Sequence, residues 1–402
     1  MSQRLRVPAL WVLFLLTMFP QLGETIYSPA LPEISHHFLS TNAMAQWTLS
    51  AYFSGFTMGV FFWGWLSDHI GRRHPMLISL FIYLAASILC LHATSINQLL
   101  LFRVIQGLGA SCGSVLVQAI VREALSVSKR RFFYSSAGFL LAASTTMGPL
   151  LGGYLTEFIS WHANFYFLAF MGLFLFLLAL FLLPETHLNN ASFESKSMWP
   201  VFKRMITDKH ILASTWIIGV INGILFGYYA EGPFIFIRMI KLTPSEFGQL
   251  GLFIAIASLM GTLISTRLIK KYSPKKIVNI GSMLLIITAL IFVLVIYFIP
   301  VSIHHKVLSI IIVILPVMGL IFASFGFLLP IILSEALLAY KQCLGRAGAL
   351  FGSGYYLLIS VFTWIMGAIH NGQVWPMPVY FLLLSISAVI AVLWLQFVDL
   401  SS

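Results

Sequence analysis

Gly64-Trp65-Leu66-Ser67-Asp68-His69-Ile70-Gly71-Arg72-Arg73-His74-Pro75 is a short polar stop between two long apolar runs. Within these few residues the chain must leave one helix, turn sharply and enter the next. Gly64 and Gly71 permit close backbone approach and torsions that other residues avoid. Asp68 is placed to meet either a helix N-terminus or one of the following arginines, a charge-dependent latch between helices. That combination is too particular for an ordinary basic loop.

Outward from this loop the chain is apolar in both directions. Of its 402 residues, 59% are hydrophobic and only 9% charged, with a mean hydropathy of +0.95. Such a composition excludes a soluble domain and points to a polytopic membrane protein. Runs of roughly 20 residues, enough to cross a bilayer, recur twelve times, at about 7–28, 43–66, 75–95, 98–121, 132–156, 163–183, 210–237, 246–269, 276–299, 305–333, 345–370 and 377–398. The first run is too long for a signal peptide and has no small-residue cleavage site, so it reads as a retained helix. The expected fold is all-α, twelve transmembrane helices in two six-helix halves.

The net charge of +11 is a topology signal rather than a nucleic-acid patch. With a cytoplasmic N-terminus and alternating sides, only Arg103, Arg238, Lys241 and Lys306 of the 23 Lys and Arg fall outside cytoplasmic segments. Both termini are therefore expected in the cytoplasm. The longest polar stretch, 184–209, contains Pro184 and reads as a cytoplasmic linker between an N-terminal bundle, 1–183, and a C-terminal bundle, 210–402. Two equal apolar halves joined in this way are the layout of a secondary transporter whose site lies between them at mid-membrane.

Several motifs carry a family resemblance. The stretch Gly64–Arg73 resembles the signature loop of the major facilitator superfamily. The fourth run opens with Arg103, Gln106 and Gly107, similar to the superfamily's Arg-x-x-Gln-Gly motif. In the fifth, Gly138 followed by Gly148-Pro149-Leu150-Leu151-Gly152-Gly153 resembles the antiporter motif. Glu24-Thr25-Ile26-Tyr27-Ser28-Pro29-Ala30-Leu31-Pro32 is similar to the first-helix pattern of the Bcr/CflA and EmrD drug-exporter branch. There are departures. Val60 and Trp65 stand where the branch often has Gln and Pro, and Thr25 stands where many members have Asp, as if the acid had moved one residue, about 100° round the helix. The resemblance implies a proton-coupled antiporter that exports drugs across the bacterial inner membrane, with Arg103 coupling protonation to the conformational change.

The residues themselves give a parallel reading. Thr17, Gln21, Glu24 and Ser28 share one helical face. A stripe holding an ionised carboxylate does not face lipid, so Glu24 belongs either to a cavity as a proton carrier or to the wet outer interface. Arg103 has the same choice between a partner inside the span and snorkelling to the interface. Glu231 is a second candidate acid, with Arg238 and Lys241 close behind it. Gly148, Gly152 and Gly153 favour tight helix contact, and Pro149 frees a backbone carbonyl and bends its helix.

Gln21, Tyr27, Tyr52, Gln118, Asn222, Phe226, Tyr229 and Tyr356 neighbour polar stripes and are candidates for binding amphipathic or cationic molecules. No phosphate-binding loop, nucleophile–base pair or metal-ligand spacing stands out, so no enzyme activity, cofactor or metal is expected. His36-His37 and His304-His305 read as solvated loop residues, and the three cysteines form no framework. The expected partners are membrane lipid, a small-molecule substrate and protons, with a monomer as the working unit. A dedicated exporter of one metabolite or siderophore on the same fold stays open.

Overall fold

The structure, a computed structural model, describes residues 8–186, 198–298 and 314–401. Those residues form helices and turns throughout. In chain order they are α1 (Leu10–Thr25), a short 3-10 turn (Ser28–Ala30), α2 (Leu31–His37), α3 (Asn42–Ile70), α4 (Arg73–Leu91), α5 (Ile96–Ala110), α6 (Cys112–Ala124), α7 (Val127–Phe158), α8 (Trp161–Leu182) and α9 (Met198–Met205). There follow α10 (Lys209–Pro233), a π-helical turn (Phe234–Met239), α11 (Pro244–Leu268), α12 (Pro274–Phe298), α13 (Leu315–Glu335), a 3-10 segment (Leu338–Cys343), α14 (Leu344–Ala368) and α15 (Pro376–Ser401).

Local chemistry sets several boundaries. Thr41 caps α3 by accepting from the Met44 N–H, and Asp208 caps α10 through the His210 and Ile211 N–H groups. Thr243 and Glu246 form a reciprocal capping box at the start of α11, with Pro244 in the first turn.

Ten helical segments among the described residues are long and apolar enough to cross a membrane. Their outer faces carry large exposed side chains such as Phe170, Phe181 and Leu383, which suits lipid contact. The expected twelve crossings also count α3 and α7, helices of 29 and 32 residues. These two are more polar because they face protein: α3 packs on α5 and α14, and α7 packs on α1 and α11. The first crossing is longer than its apolar run, since α1, the 3-10 turn and α2 make one segment from Leu10 to His37. Glu24 thus lies midway along it. The expected segment at 305–333 is described only from residue 314, and His304, His305 and Lys306 lie outside the described residues. The 184–209 stretch is not all irregular: α9 occupies its second part and packs against α14, while 187–197 lie outside the described residues.

Helices from the two parts of the chain meet along two long seams, α3 on α14 and α7 on α11. Residues 184–186 and 198–209, the described parts of the expected linker, lie at one end of the bundle, the linker end. Glu231 and the residues that follow it lie at the other.

Candidate functional site

At the linker end, the loop after α3 is held by four carboxylate-centred contacts. Arg72 pairs with Asp68 at 2.6 Å and, through two nitrogens, with Glu123 of α6. Glu185 accepts from the backbone N–H groups of Arg72 and Arg73 at 2.9 and 3.1 Å. It therefore fills the N-terminus of α4, the role expected of Asp68 as one of two choices; Asp68 takes the other, the arginine. Burial works against the charge on Arg72, but Glu123 and Asp68 more than offset it and hold the guanidinium above its ordinary value. Gly71 has φ +90° and lies against the Glu185 carboxylate, so a side chain there meets both backbone strain and a clash. Arg73 donates to the Leu180 carbonyl, and Gly64 lies against Val115 and, across the seam, Ala349.

Midway through the bundle, Arg103 is fully buried, not snorkelling. Its guanidinium lies 4.0 Å from the Tyr27 ring centroid and 4.4 Å from that of Tyr52, a cation held between two π-faces. It donates to the Gln106 side-chain oxygen and to the Gly23 carbonyl, and Gln106 in turn donates to Ser87. Glu24 is 1% exposed and directly follows Gly23, whose carbonyl accepts from Arg103. Its Oε1 has no hydrogen-bond partner among the described residues. The Tyr52 hydroxyl lies against Gly23, and ring contacts run from Tyr52 through Phe56 and Tyr356 to Tyr355. The outer-interface alternative for Glu24 and Arg103 does not fit these positions. A buried cation and a buried acid within mutual influence lower the cost of holding either one in a low-dielectric interior.

Two freed carbonyls explain how α1 is aimed. Pro149 has no N–H for the carbonyl of Thr145, four residues back, and the Thr25 hydroxyl, 3.0 Å from the Gln21 carbonyl of its own helix, also reaches that carbonyl at 3.4 Å. Pro233 likewise leaves the Tyr229 carbonyl free, and Ser28 donates to it at 2.5 Å. The end of α1 is thus wedged between α7 and α10. Thr25 faces α7, where Gly148 makes room for it, and a Cβ on Gly152 would run into the Ile26 carbonyl. Gly153 makes similar room for the Pro244 carbonyl across the α7–α11 seam. With Thr25 occupying the crowded side, Glu24 is left on the side of the tyrosines. Gly138 lies in the middle part of α7.

The proposed binding residues separate. Phe226 touches Phe53 edge-on at 4.4 Å between centroids, and Tyr356 lies 4.2 Å from Phe56. Tyr229 packs beside Phe226, and Tyr356 interacts with Gln21 and Ser114. These side chains form an aromatic seam between α3, α10 and α14. Tyr27 and Tyr52 lie beneath it and are occupied by Arg103. Asn222 is half-buried and donates to its own helix at Ile218; Gln118 is exposed and bonds to Arg122. Phe53, Phe56 and Tyr355 were not singled out by sequence, since nothing distinguishes them from the chain's other aromatics.

Glu231 is also fully buried, with a different set of partners. Gln46 of α3 donates to its Oε2 at 2.6 Å, and His370, after α14, meets the same oxygen at 2.8 Å. Asn42 bonds to His370 at 3.0 Å and accepts from Arg238 at 2.7 Å. Asn42, Gln46 and His370 carried no signal in the sequence, because their partners are 139 to 328 residues away.

A profile of the Major Facilitator Superfamily matches residues 13–363. An uncharacterized transporter of Rickettsia felis is 32% identical over 388 residues, 96% of this chain and 95% of that protein. The multidrug resistance protein MdtL of Shewanella sp. strain ANA-3 is 25% identical over 94% of this chain and 92% of its own length. Among solved structures, a D-xylose–proton symporter superposes with a TM-score of 0.76 at 13% identity, covering 94% of this chain and 96% of that one. Family and fold are those of multi-pass membrane transporters that act on small-molecule substrates, and the chain belongs to the major facilitator superfamily.

Proposed function

We propose that this protein is a proton-coupled antiporter of the bacterial inner membrane that exports small amphipathic molecules. Two six-helix halves, 1–183 and 210–402, alternate access around the α1–α3–α10–α14 seam. Residues 184–209 form the cytoplasmic linker, both termini are cytoplasmic, and α3 and α7 complete twelve crossings. The monomer is the working unit. Likeness to a protein named for multidrug resistance supports export of drug-like cargo.

The observation that carries the reading is Glu24: a buried carboxyl with an oxygen unpartnered among the described residues, next to the Gly23 carbonyl that accepts from a caged arginine and bordering an aromatic seam. Protonation of Glu24 from outside favours release of cargo. Loss of that proton to the cytoplasm restores a negative site for the next molecule, which the aromatic walls hold by stacking and cation–π contact. Arg103 relays the change, since neutralising Glu24 leaves the guanidinium to its two tyrosines and Gln106. Gln21, Phe226, Tyr229 and Tyr356 contact cargo, while Tyr27 and Tyr52 act through Arg103.

The test is proton efflux from acid-loaded everted vesicles on addition of candidate drugs, with wild type and Glu24→Gln at matched protein levels. Wild type is expected to respond and the variant not to. Equal responses overturn the role of Glu24. No response to any drug from either overturns multidrug export.

A further inference from the structure

The hydrogen bonds around His370 have only one consistent polarity. Arg238 is a donor at every accessible pH, so the Asn42 atom that meets it is the oxygen; Ser35 lies 3.0 Å from that same oxygen. The amide nitrogen of Asn42 then faces His370 Nε2 and donates to it. An imidazole nitrogen that accepts carries no proton, so the ring proton is on Nδ1, pointed at Glu231. The carboxylate also accepts from Gln46. In this arrangement His370 is neutral and both of its bonded neighbours depend on that. Asn42 and Gln46 belong to α3; Glu231, Arg238 and His370 belong to the second half of the chain. The network therefore ties the two halves together at the end opposite the linker.

We infer that His370 is a second proton-binding site, and that taking up a proton from outside releases this latch and opens the outer end of the transporter. A proton on Nε2 sets two donors, the imidazolium and the Asn42 amide, against each other. Asn42 cannot rotate its amide to help without turning a donor toward Arg238. The imidazolium at the same time draws the Glu231 carboxylate to itself and away from Gln46, whose Oε1 is already without a partner among the described residues. Both bonds from α3 weaken while the pair within the second half strengthens. The other charges around it are Arg238, which opposes a positive His370, and Glu231, which favours it. His36 of α2 shares with Asn42 and Arg238 a cavity of about 360 Å³ at this end. His370 itself is 9% exposed, so protons can reach it.

The sign follows from the acceptor role. The closed latch needs the neutral ring, so it is intact while Nε2 accepts from Asn42 and is lost when Nε2 takes up a proton. The outer end then opens on the side where protons are to be collected. The inference rests on the orientation proposed above, and not on Glu24 or the cargo.

The experiment is a distance measurement by double electron–electron resonance on the full-length protein in nanodiscs. Spin labels go on Asn97→Cys and Gln373→Cys, exposed positions at this end, with Cys90, Cys112 and Cys343 changed to Ser and Glu24→Gln present to silence the central acid. From about pH 8 to about pH 5.5 the population with widely separated outer ends should rise about tenfold. His370→Gln should abolish that response. Asn42→Ala should widen the distances already at about pH 8 and flatten the response. A pH response that survives His370→Gln, or none without it, overturns the inference. In whole cells a membrane-impermeant maleimide should label Asn97→Cys; its failure to do so would overturn the orientation while leaving the latch measurement intact.

Discussion

The two buried acids, Glu24 and Glu231, are alike in burial and opposite in company. Glu24 has an oxygen with no partner among the described residues, and it lies next to Gly23, which meets both the Tyr52 hydroxyl and the Arg103 guanidinium. Glu231 is bonded by Gln46 and His370, and through them to Asn42 and Arg238. A carboxyl whose bonds are unmet can gain or lose a proton without breaking anything. One that holds a network together changes the structure when its partners change. The first kind suits a carrier and the second a latch, although both are acids inside apolar helices.

The largest effect is expected from moving the first acid without removing it. In the double variant Glu24→Thr/Thr25→Glu, the carboxyl turns about 100° round α1 into the space that Gly148 leaves for Thr25. A carboxylate there meets the Thr145 carbonyl freed by Pro149, acceptor against acceptor. Both transport and assembly should fail, seen as lost drug-driven proton efflux and an aggregated profile on size exclusion. A folded, active swap would mean that position on the helix does not distinguish the acid. Glu24→Gln alone should remove efflux while leaving the size-exclusion profile that of wild type, because no hydrogen bond to Oε1 is lost.

Glu231→Gln should do the reverse. The amide cannot accept with the strength of a carboxylate from both Gln46 and His370, and losing charge-assisted bonds of this kind costs about 1.5–3 kcal/mol. Melting followed by a thiol-reactive or intrinsic fluorescence probe should drop by several degrees, about what that energy implies for a helical protein. Efflux should persist at a reduced rate. If Glu231→Gln abolishes efflux at an unchanged melting temperature, the two acids have exchanged roles.

How far these assignments were readable beforehand depends on the range of the interactions. The helices, the turn at Gly71 and the stripe through Glu24 rest on spacings of a few residues, and all are visible along the chain. The freed carbonyls were half visible: Pro149 announced one, but nothing indicated that Thr25, 120 residues earlier, would take it. Glu185 at the α4 N-terminus is 113 residues from Arg72. His370 stood at the end of the expected span 345–370. Its role appears only once α3 lies beside α14, because the pattern that defines it is a hydrogen-bond polarity shared among four side chains from three separate stretches.

The smallest expected effect tests what aims the first acid. Ser28 donates to the carbonyl that Pro233 frees at Tyr229, from one half of the chain to the other. Ser28→Ala removes the donor and leaves a buried carbonyl unbonded, at a cost of about 1 kcal/mol. Since that bond crosses between α1 and α10 at the end opposite the linker, its loss should favour separation there, as release of the Glu231 latch does. In the spin-label pair described above, Ser28→Ala should raise the wide population a few-fold at about pH 8 yet keep the pH response, because His370 is untouched. The comparison then becomes quantitative. A bond beside Glu24 that shifts the outer equilibrium without altering its pH dependence separates mechanical closure from proton sensing. If Ser28→Ala instead removed the pH response, the sensing would reside at the α1 wedge next to Glu24, and the two acids would belong to one site.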